Sequence, residues 1–168
     1  MDEIIIRRSE PADIPRIKQI YESESVLAQL MQLPHPSEQL WESRLAKLPD
    51  TSHSLIACVG NQVVGHIVLH GDTLARRRHV GKLGLAVHED HQSKGIGRAM
   101  LDAVINLADN WLNLARIELT VYTDNTPAIK LYQAAGFVTE GTAAAYGFKN
   151  GRLASVHFMA RIKDEAKT

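Results

Sequence analysis

The hydrophobic and polar positions in the first half of the chain change period several times, which indicates strands and helices in alternation. A β-branched run over 3–8 predicts a first strand. Apolar residues at helical spacing over 11–24 predict a helix with prolines in its first turn. Ser37 is a plausible N-cap for a second helix. Two strands, 53–59 and 62–70, follow that helix and are joined by a Gly-Asn pair that suits a tight hairpin.

The middle of the chain combines a strand, a glycine loop and a long helix in immediate succession. Leu83, Leu85 and Val87 alternate with Gly84 and Ala86, so one face of the predicted strand is apolar and the other has little bulk. The apolar stripe of the helix predicts burial along its length and comprises Ile96, Met100, Leu101, Val104, Ile105, Leu107, Ala108, Trp111 and Leu112.

The last third of the chain continues the alternation of strand and helix. A strand is predicted over 116–122, and then a helix that Asn125 caps and Gly136 ends. A final hairpin over 137–162 turns at Asn150-Gly151, a strong turn signal. The order of elements predicts an α/β fold with a mixed sheet, and the length of 168 residues without repeat or linker predicts a single domain over 1–168.

Composition and charge exclude several classes of function. Nineteen Lys and Arg residues balance 19 Asp and Glu residues, which argues against a dedicated nucleic-acid binder with a basic face. Cys58 is the only cysteine, so no internal disulfide can form and a cytoplasmic location is expected. The first residues lack the features of a signal or transit peptide, and no apolar segment has the length of a membrane span, so we expect no membrane association.

Several side chains that could react or bind metal are interpreted as structural residues. Cys58 lies among apolar strand residues without a local base, so we interpret it as a core residue. His66 and His70 lie four apart on a strand and have no third ligand nearby, which predicts no metal and an exposed sheet face for both. The basic run at 76–79 predicts a solvated connection between strands.

The strand, glycine loop and helix in series have a chemical implication of their own. The first N–H groups of a helix have no partner within it, and they lie at the positive end of the helix dipole. A glycine loop that leads into such an N-terminus favours a phosphate or diphosphate site. The glycines could instead only close a tight turn, and the stretch taken alone leaves both interpretations open.

Two sequence motifs extend this interpretation. The first is Gln92-x-x-Gly95-x-Gly97. The second is Asn125-x-x-Ala128-x-x-Leu131-Tyr132, followed by Gly136-Phe137. In this order they resemble the two motifs of the GNAT N-acetyltransferase superfamily, and the resemblance covers almost the whole chain. Bacterial L-amino acid N-acetyltransferases share phrases similar to LPHPSEQLWESRL and DNWLNLARIELTVYTDNTPAIKLY.

The resemblance implies a GNAT-like α/β fold whose mixed, mostly antiparallel central sheet has splayed central strands and helices on both faces. The pantetheine arm of the cosubstrate acetyl-CoA would lie between the splayed strands, and its diphosphate would bind N–H groups of the glycine loop. The residues implied to bind it are Leu85, Ala86, Val87, Gln92, Ser93, Lys94, Gly95, Ile96, Gly97, Arg98, Asn125, Ala128, Lys130 and Tyr132.

The resemblance also implies roles in catalysis. The N–H near Val87 would stabilise the oxyanion, and Tyr132 would donate a hydrogen bond to the leaving sulfur. Glu118 is one candidate for the general base, and ordered water that leads to His88 or Glu89 is another. The candidate substrate neighbours are Leu33, His35 and Glu38.

The expected activity is acetyl transfer from acetyl-CoA to the α-amino group of a small substrate, most simply a free L-amino acid. One alternative keeps the cosubstrate and changes the acceptor to a protein or peptide amine or an antibiotic. Another is a CoA-binding protein without turnover. The partner implied is a small-molecule amine, and a homodimer is expected by analogy with relatives.

Overall fold

We describe a computed structural model of the chain, which covers residues 2–164. Within that range, seven strands form one sheet: β1 (Ile4–Arg8), β2 (Ser52–Val59), β3 (Gln62–Gly71), β4 (Val80–Val87), β5 (Arg116–Tyr122), β6 (Val138–Lys149) and β7 (Arg152–Ile162). Their order across the sheet is β1-β2-β3-β4-β5-β7-β6. β4 and β5 are parallel, whereas β1/β2, β2/β3, β5/β7 and β6/β7 are antiparallel. The predicted mixed, mostly antiparallel sheet is confirmed.

The helices are α1 (Ile14–Ile20), α2 (Glu24–Leu27), α3 (Glu38–Ala46), α4 (Ile96–Asn110) and α5 (Thr126–Ala134). α3, α4 and α5 lie close to the predicted positions, whereas α1 is shorter than the helix predicted over 11–24 and α2 was not predicted. Ser37 Oγ accepts a hydrogen bond from the N–H of Leu40 at 3.0 Å, which confirms Ser37 as the N-cap of α3. Between residues 2 and 164 no helix is both long and apolar enough to cross a membrane.

The contacts of the chain divide it into two compact units. Unit 1 comprises the residues up to His70 together with Gly84–Val104, and unit 2 comprises Gly71–Leu83 together with the residues from Ile105. β4 and α4 each contribute residues to both units.

The core of unit 1 packs α1, α2 and α3 on the first strands. Its members are Ile14, Ile17, Ile20, Tyr21, Val26, Leu27, Trp41, Ile56, Cys58, Val63 and Ala86. Cys58 is 8% exposed within this cluster, which confirms its predicted place in the core.

His66 is buried, so the prediction of an exposed sheet face is wrong for this residue. Its exposure is 1%, because the rings of Tyr21 and Trp41 contact it edge on, each with a centroid distance of 5.8 Å. α1 and α3 therefore cover this face of β3, which the alternation within the strand could not reveal. His70, farther along β3, is exposed as predicted.

The centre of the stripe is buried from Ile96 in the first turn of α4 to Ala108 in its last turn, but the stripe is not buried beyond the end of the helix. Ile96, Met100 and Val104 are at most 2% exposed, as predicted. Trp111 is 78% exposed, so its predicted burial is wrong. The helix ends at Asn110, and the chain beyond it no longer follows the helical period on which the prediction relied.

Unit 2 is built around β5, β7 and the hairpin that β6 and β7 form. Ile117, Leu119 and Val121 of β5 are buried, and the hairpin turns at Asn150-Gly151 as predicted. Both turn residues have positive φ, +50° and +75°, which is the requirement of a tight two-residue hairpin. β6 also contains a bulge between Ala143 and Gly147.

Candidate active site

The parallel pairing of β4 with β5 involves the first residues of each strand. The paired residues are Val80 with Arg116, Gly81 with Ile117, and Lys82 with Glu118. β4 continues beyond these pairs to Val87. Its residues Leu85–Val87, which sequence reasoning assigns to the cosubstrate, belong to this continuation.

The loop between β4 and α4 has the backbone shape that an anion site needs. Ser93 and Gly95 have φ values of +60° and +82°. The carbonyl of Gly95 accepts the first helical hydrogen bond, from the N–H of Ala99 at 3.0 Å. Residues 96–98 therefore present N–H groups at the positive end of the 15-residue helix α4. A Cβ on Gly95 would meet no atom within 4 Å, so its φ rather than its space requires glycine.

The side chains of the first motif hold this loop to its neighbours. Gln92 Nε2 donates to the carbonyl of Val87 at 3.2 Å, and Lys94 Nζ donates to the carbonyl of Asp90 at 2.9 Å. Arg98 Nε contacts Asp102 at 2.8 Å on the exposed side of α4. The loop is thus shaped by its own contacts, and N–H groups at a helix N-terminus are a general feature of phosphate sites.

The second motif lies in unit 2, on and before α5. Asn125 Oδ1 accepts from the N–H of Ala128 at 3.4 Å and caps the helix. Tyr132 is 8% exposed, and its ring lies 5.7 Å from that of Phe137 between centroids. Burial raises the pKa of Tyr132 to about 12, so the phenol stays protonated and remains a hydrogen-bond donor at physiological pH. Lys130, on the same helix, is exposed.

Glu118 lies at the last pair of the β4/β5 ladder and accepts from two arginines. Its Oε1 is 2.9 Å from Arg116 Nε and 2.9 Å from Arg77 Nη2. Partial burial raises the pKa of Glu118, but the two guanidinium groups outweigh burial and leave the pKa below its ordinary value. This makes Glu118 a weaker proton acceptor than an isolated glutamate. Arg77, predicted to be solvated, is instead paired with Asp72 as well as Glu118.

The predicted substrate neighbours lie in or beside the segment that joins α2 to α3. Leu33 is 83% exposed, and His35 and Glu38 are exposed as well. His35 has φ +60° between two prolines. These three residues belong to unit 1 with the glycine loop, whereas Glu118, Asn125, Ala128, Lys130 and Tyr132 belong to unit 2.

Sequence reasoning missed the partners of Glu89. Ser23 Oγ and Ser25 Oγ both donate to Glu89 Oε2, at 2.7 and 3.0 Å, and these hydrogen bonds lower its pKa. They join residues 66 and 64 positions apart, so no local pattern could have indicated them.

A cavity of about 680 Å³ in unit 1 lies between α3, β2 and the turn before α1. None of the predicted site residues lines it. Among residues 2–164 no group of three or more His, Cys, Asp and Glu side chains is arranged to hold a metal ion.

Comparison with known proteins shows the family to which the chain belongs. Residues 15–137 match the model of the Acetyltransferase (GNAT) family. The chain is similar to L-amino acid N-acetyltransferase AaaT of Escherichia coli K12, with 40% identity over 163 residues that cover 97% of this chain and 100% of that protein.

Solved structures agree on the fold. An acetyltransferase of the GNAT family from Streptococcus pneumoniae superposes with a TM-score of 0.83 at 26% identity, and the match covers 95% of this chain and 99% of that one. Spermidine N-acetyltransferase from Vibrio cholerae, in complex with CoA and spermine, has a TM-score of 0.85 at 23% identity and 95% coverage of both chains. The chain belongs to the GNAT family and is an acyltransferase that transfers acetyl to an amine.

Proposed function

We propose that the protein transfers acetyl from acetyl-CoA to the α-amino group of a free L-amino acid. The observation that carries the proposal is the loop at the start of α4, whose left-handed Ser93 and Gly95 lead into a helix N-terminus, where the first N–H groups have no partner within the helix. A CoA diphosphate is the anion that this family brings to such a loop. The choice of acceptor is supported by the similarity to an L-amino acid N-acetyltransferase over nearly the whole chain.

Acyl transfer breaks the thioester C–S bond and forms a C–N bond to the amine. In the proposed mechanism the backbone near Val87 donates to the oxygen of the reacting carbonyl, which gains negative charge as the amine attacks. The continuation of β4 beyond its pairs with β5 supports this role for residues 85–87. Tyr132 donates to the sulfur as it leaves, and its raised pKa supports a role as donor of a hydrogen bond.

The amine must lose a proton before or during attack. Glu118 and a water path to His88 or Glu89 are both candidates for its acceptor. The ion pairs of Glu118 with Arg77 and Arg116 favour a water path to His88, because a carboxylate with a lowered pKa is a poorer base. The same argument counts against Glu89, whose pKa is lowered by its hydrogen bonds from two serines.

The assay that tests the proposed function measures thiol release from acetyl-CoA with a panel of amines. Free L-amino acids, peptides with a free N-terminus, N-blocked amino acids and spermidine are compared at equal concentration. We expect turnover with the free amino acids and none with their N-blocked forms. Turnover restricted to peptides or spermidine would overturn the acceptor class, and CoA binding in calorimetry without any turnover would indicate a non-catalytic CoA-binding protein.

We further propose that residues 1–168 act as one N-acetyltransferase domain. The family match spans residues of both units, and β4 and α4 each belong to both. A cytoplasmic location is proposed from the single, buried Cys58, which leaves no disulfide to form.

A homodimer is proposed as the state in solution. β6 is the last strand of the sheet, and the hairpin of β6 and β7 exposes apolar side chains. Phe148 is 70% exposed, Leu153 69% and Tyr146 49%. A second copy of the same chain can cover such a surface by two-fold symmetry.

A further inference from the structure

A chain of hydrogen bonds within unit 1 runs from Ser9, the residue after β1, across β2 and β3 to the end of α1. The Tyr21 hydroxyl lies 2.8 Å from Nδ1 of His66, and the Ser54 hydroxyl lies 2.9 Å from Nε2 of the same ring. Ser9 Oγ donates to Ser54 Oγ at 2.8 Å. We call these four residues the relay. None of them belongs to either sequence motif.

The centre of the relay is a neutral imidazole. Burial lowers the pKa of His66 to about 4. A neutral imidazole has one donor and one acceptor nitrogen, and here both have a hydroxyl partner. The rings of Tyr21 and Trp41 stack with centroids 4.5 Å apart, and both contact His66 edge on. The imidazole therefore has one orientation, and it positions both α1 and α3 on β3.

The relay reaches the turn that joins α1 to α2. Tyr21 is the residue after α1, and Ser23 and Ser25 follow it. Both serines donate to Glu89, which precedes the loop of α4. The position of this turn is thus linked to the relay on one side and to Glu89 on the other.

β3 directly contacts the segment that contains Glu89. The N–H of His88 donates to the carbonyl of Val64 at 2.8 Å, and Val64 lies two residues before His66. Glu89 is therefore positioned by α1 through the serines and by β3 through His88. Because the relay joins α1 to β3, loss of the Tyr21–His66 hydrogen bond would shift the turn relative to Glu89.

Packing alone does not require polar groups at these positions. A buried polar group is unfavourable unless it is hydrogen-bonded, and an apolar set of similar volume would bury without that requirement. A directional network restricts the rotation and height of a helix on a sheet in a way that apolar contacts do not. The relay is therefore suited to fixing the position of α1 on the sheet.

We propose that Tyr21, His66 and Ser54 are positioning residues for the amine acceptor. The proposal rests on the proposed N-acetyltransferase function. The relay sets the turn between α1 and α2, and so the segment from α2 to α3 that contains the acceptor neighbours Leu33 and His35. The N–H groups for the diphosphate arise within the loop and helix α4 themselves, so binding of CoA does not depend on the relay.

The test compares Tyr21→Phe with Ser52→Ala. Ser52 Oγ lies 2.9 Å from His70 Nδ1, a hydroxyl–imidazole pair between the same two strands that does not reach α1. For Tyr21→Phe we expect KM for the amine to rise about tenfold, the factor that corresponds to one buried hydrogen bond, with kcat and the Kd of CoA within about twofold of wild type. Ser52→Ala should leave all three within about twofold. Ser54→Ala, which removes the hydroxyl on the other side of His66, gives a second measurement if Tyr21→Phe does not fold.

A double-mutant cycle tests whether the relay affects KM for the amine through the turn between α1 and α2. If the relay acts through the turn, Tyr21→Phe and Glu89→Gln have non-additive effects on KM for the amine, whereas Ser52→Ala and Glu89→Gln are additive. The relay proposal would be overturned by an unchanged KM for the amine in both Tyr21→Phe and Ser54→Ala, or by a loss of CoA affinity as large as the rise in that KM. Additive effects of Tyr21→Phe and Glu89→Gln would overturn it as well. In each case turnover by the wild-type protein would leave the proposed function intact. A wild-type protein that acetylates no amine would overturn both.

Discussion

At the scale of single residues, two side chains illustrate how surroundings decide chemistry. Tyr132 is buried, so its pKa rises to about 12 and it remains a donor. Glu118 is also partly buried, yet two guanidinium groups lower its pKa and keep it ionised. The first environment suits hydrogen bonding to a leaving group, and the second suits an ion pair.

We expect Tyr132→Phe to lower kcat by about 100-fold, because it removes the donor to the leaving sulfur and keeps the ring. The Kd of CoA should change by less than about threefold, since the ring contact with Phe137 is retained. Steady-state kinetics and calorimetry measure the two effects. Tyr146→Phe, on an exposed tyrosine of the same unit, is the matched control. An unchanged kcat in Tyr132→Phe would exclude the assigned role.

Glu118→Gln should affect stability more than catalysis. The folded-state pKa of Glu118 lies below its ordinary value of 4.5. The stabilisation of the fold by the Glu118 carboxylate is therefore present above pH 4.5 and is lost as pH falls through the folded-state pKa. We expect the variant to be less stable by about 1–2 kcal/mol at pH 7, and the difference to shrink as pH falls below 4.5. Urea unfolding at several pH values measures it. A kcat reduced 100-fold or more, with an altered pH–rate profile, would instead identify Glu118 as the base.

At the scale of elements, the loop and the N-terminus of α4 form the part of the candidate site that depends least on other elements. The φ of Gly95 and the donors of residues 96–98 arise within a few consecutive residues. A single change to the backbone of this loop should therefore test the proposed CoA site.

Gly95→Ala should weaken CoA binding by about tenfold or more. A Cβ has room there, but alanine at φ +82° is strained by about 1–2 kcal/mol, so the loop relaxes from the shape that directs its N–H groups. Gly60→Ala is the matched control, because Gly60 has φ +57° and equal room in the turn between β2 and β3. Both variants should lose similar stability in thermal unfolding, and only Gly95→Ala should lose CoA affinity in calorimetry. Equal CoA affinity in the two variants would contradict the phosphate role of the loop.

At the scale of the whole molecule, the hairpin of β6 and β7 extends beyond the part of β7 that pairs with β5, and this two-stranded tip exposes Tyr146, Phe148 and Leu153. A two-stranded ribbon with large apolar side chains in water is unfavourable unless a partner covers it. β6 is the edge strand, and its bulge contains Ala145 at φ +52°. Bulges of this kind limit open-ended pairing at an edge and favour a closed, two-fold contact.

Phe148→Glu should convert the proposed dimer to a monomer, because it places a charge in an apolar contact. Light scattering after gel filtration measures the mass. Leu74→Glu is the control, since Leu74 is 65% exposed, close to the 70% of Phe148, and lies outside the hairpin. A monomeric wild-type protein would rule out the homodimer, and a dimer that persists in Phe148→Glu would place the contact elsewhere.

Most of the fold followed from local patterns in the sequence. β5 and the turn at Asn150-Gly151 occur where the alternation and the turn chemistry predicted them. The prediction for Trp111 was wrong because the helical period was extended to Leu112, two residues beyond the end of α4 at Asn110. The predicted exposure of His66 was wrong because alternation within a strand does not indicate which face a distant helix will cover.

The sequence by itself determined the elements, the glycine loop and the family of the enzyme. These depend on contacts among residues a few positions apart and on motifs with fixed spacing, and such information is local. Tertiary structure alone decided that Glu118 is paired with Arg77, that Glu89 accepts from Ser23, and that His66 links α1 to β3. Those contacts join residues more than 40 positions apart, and their partners and pKa values exist only once the strands and helices have packed.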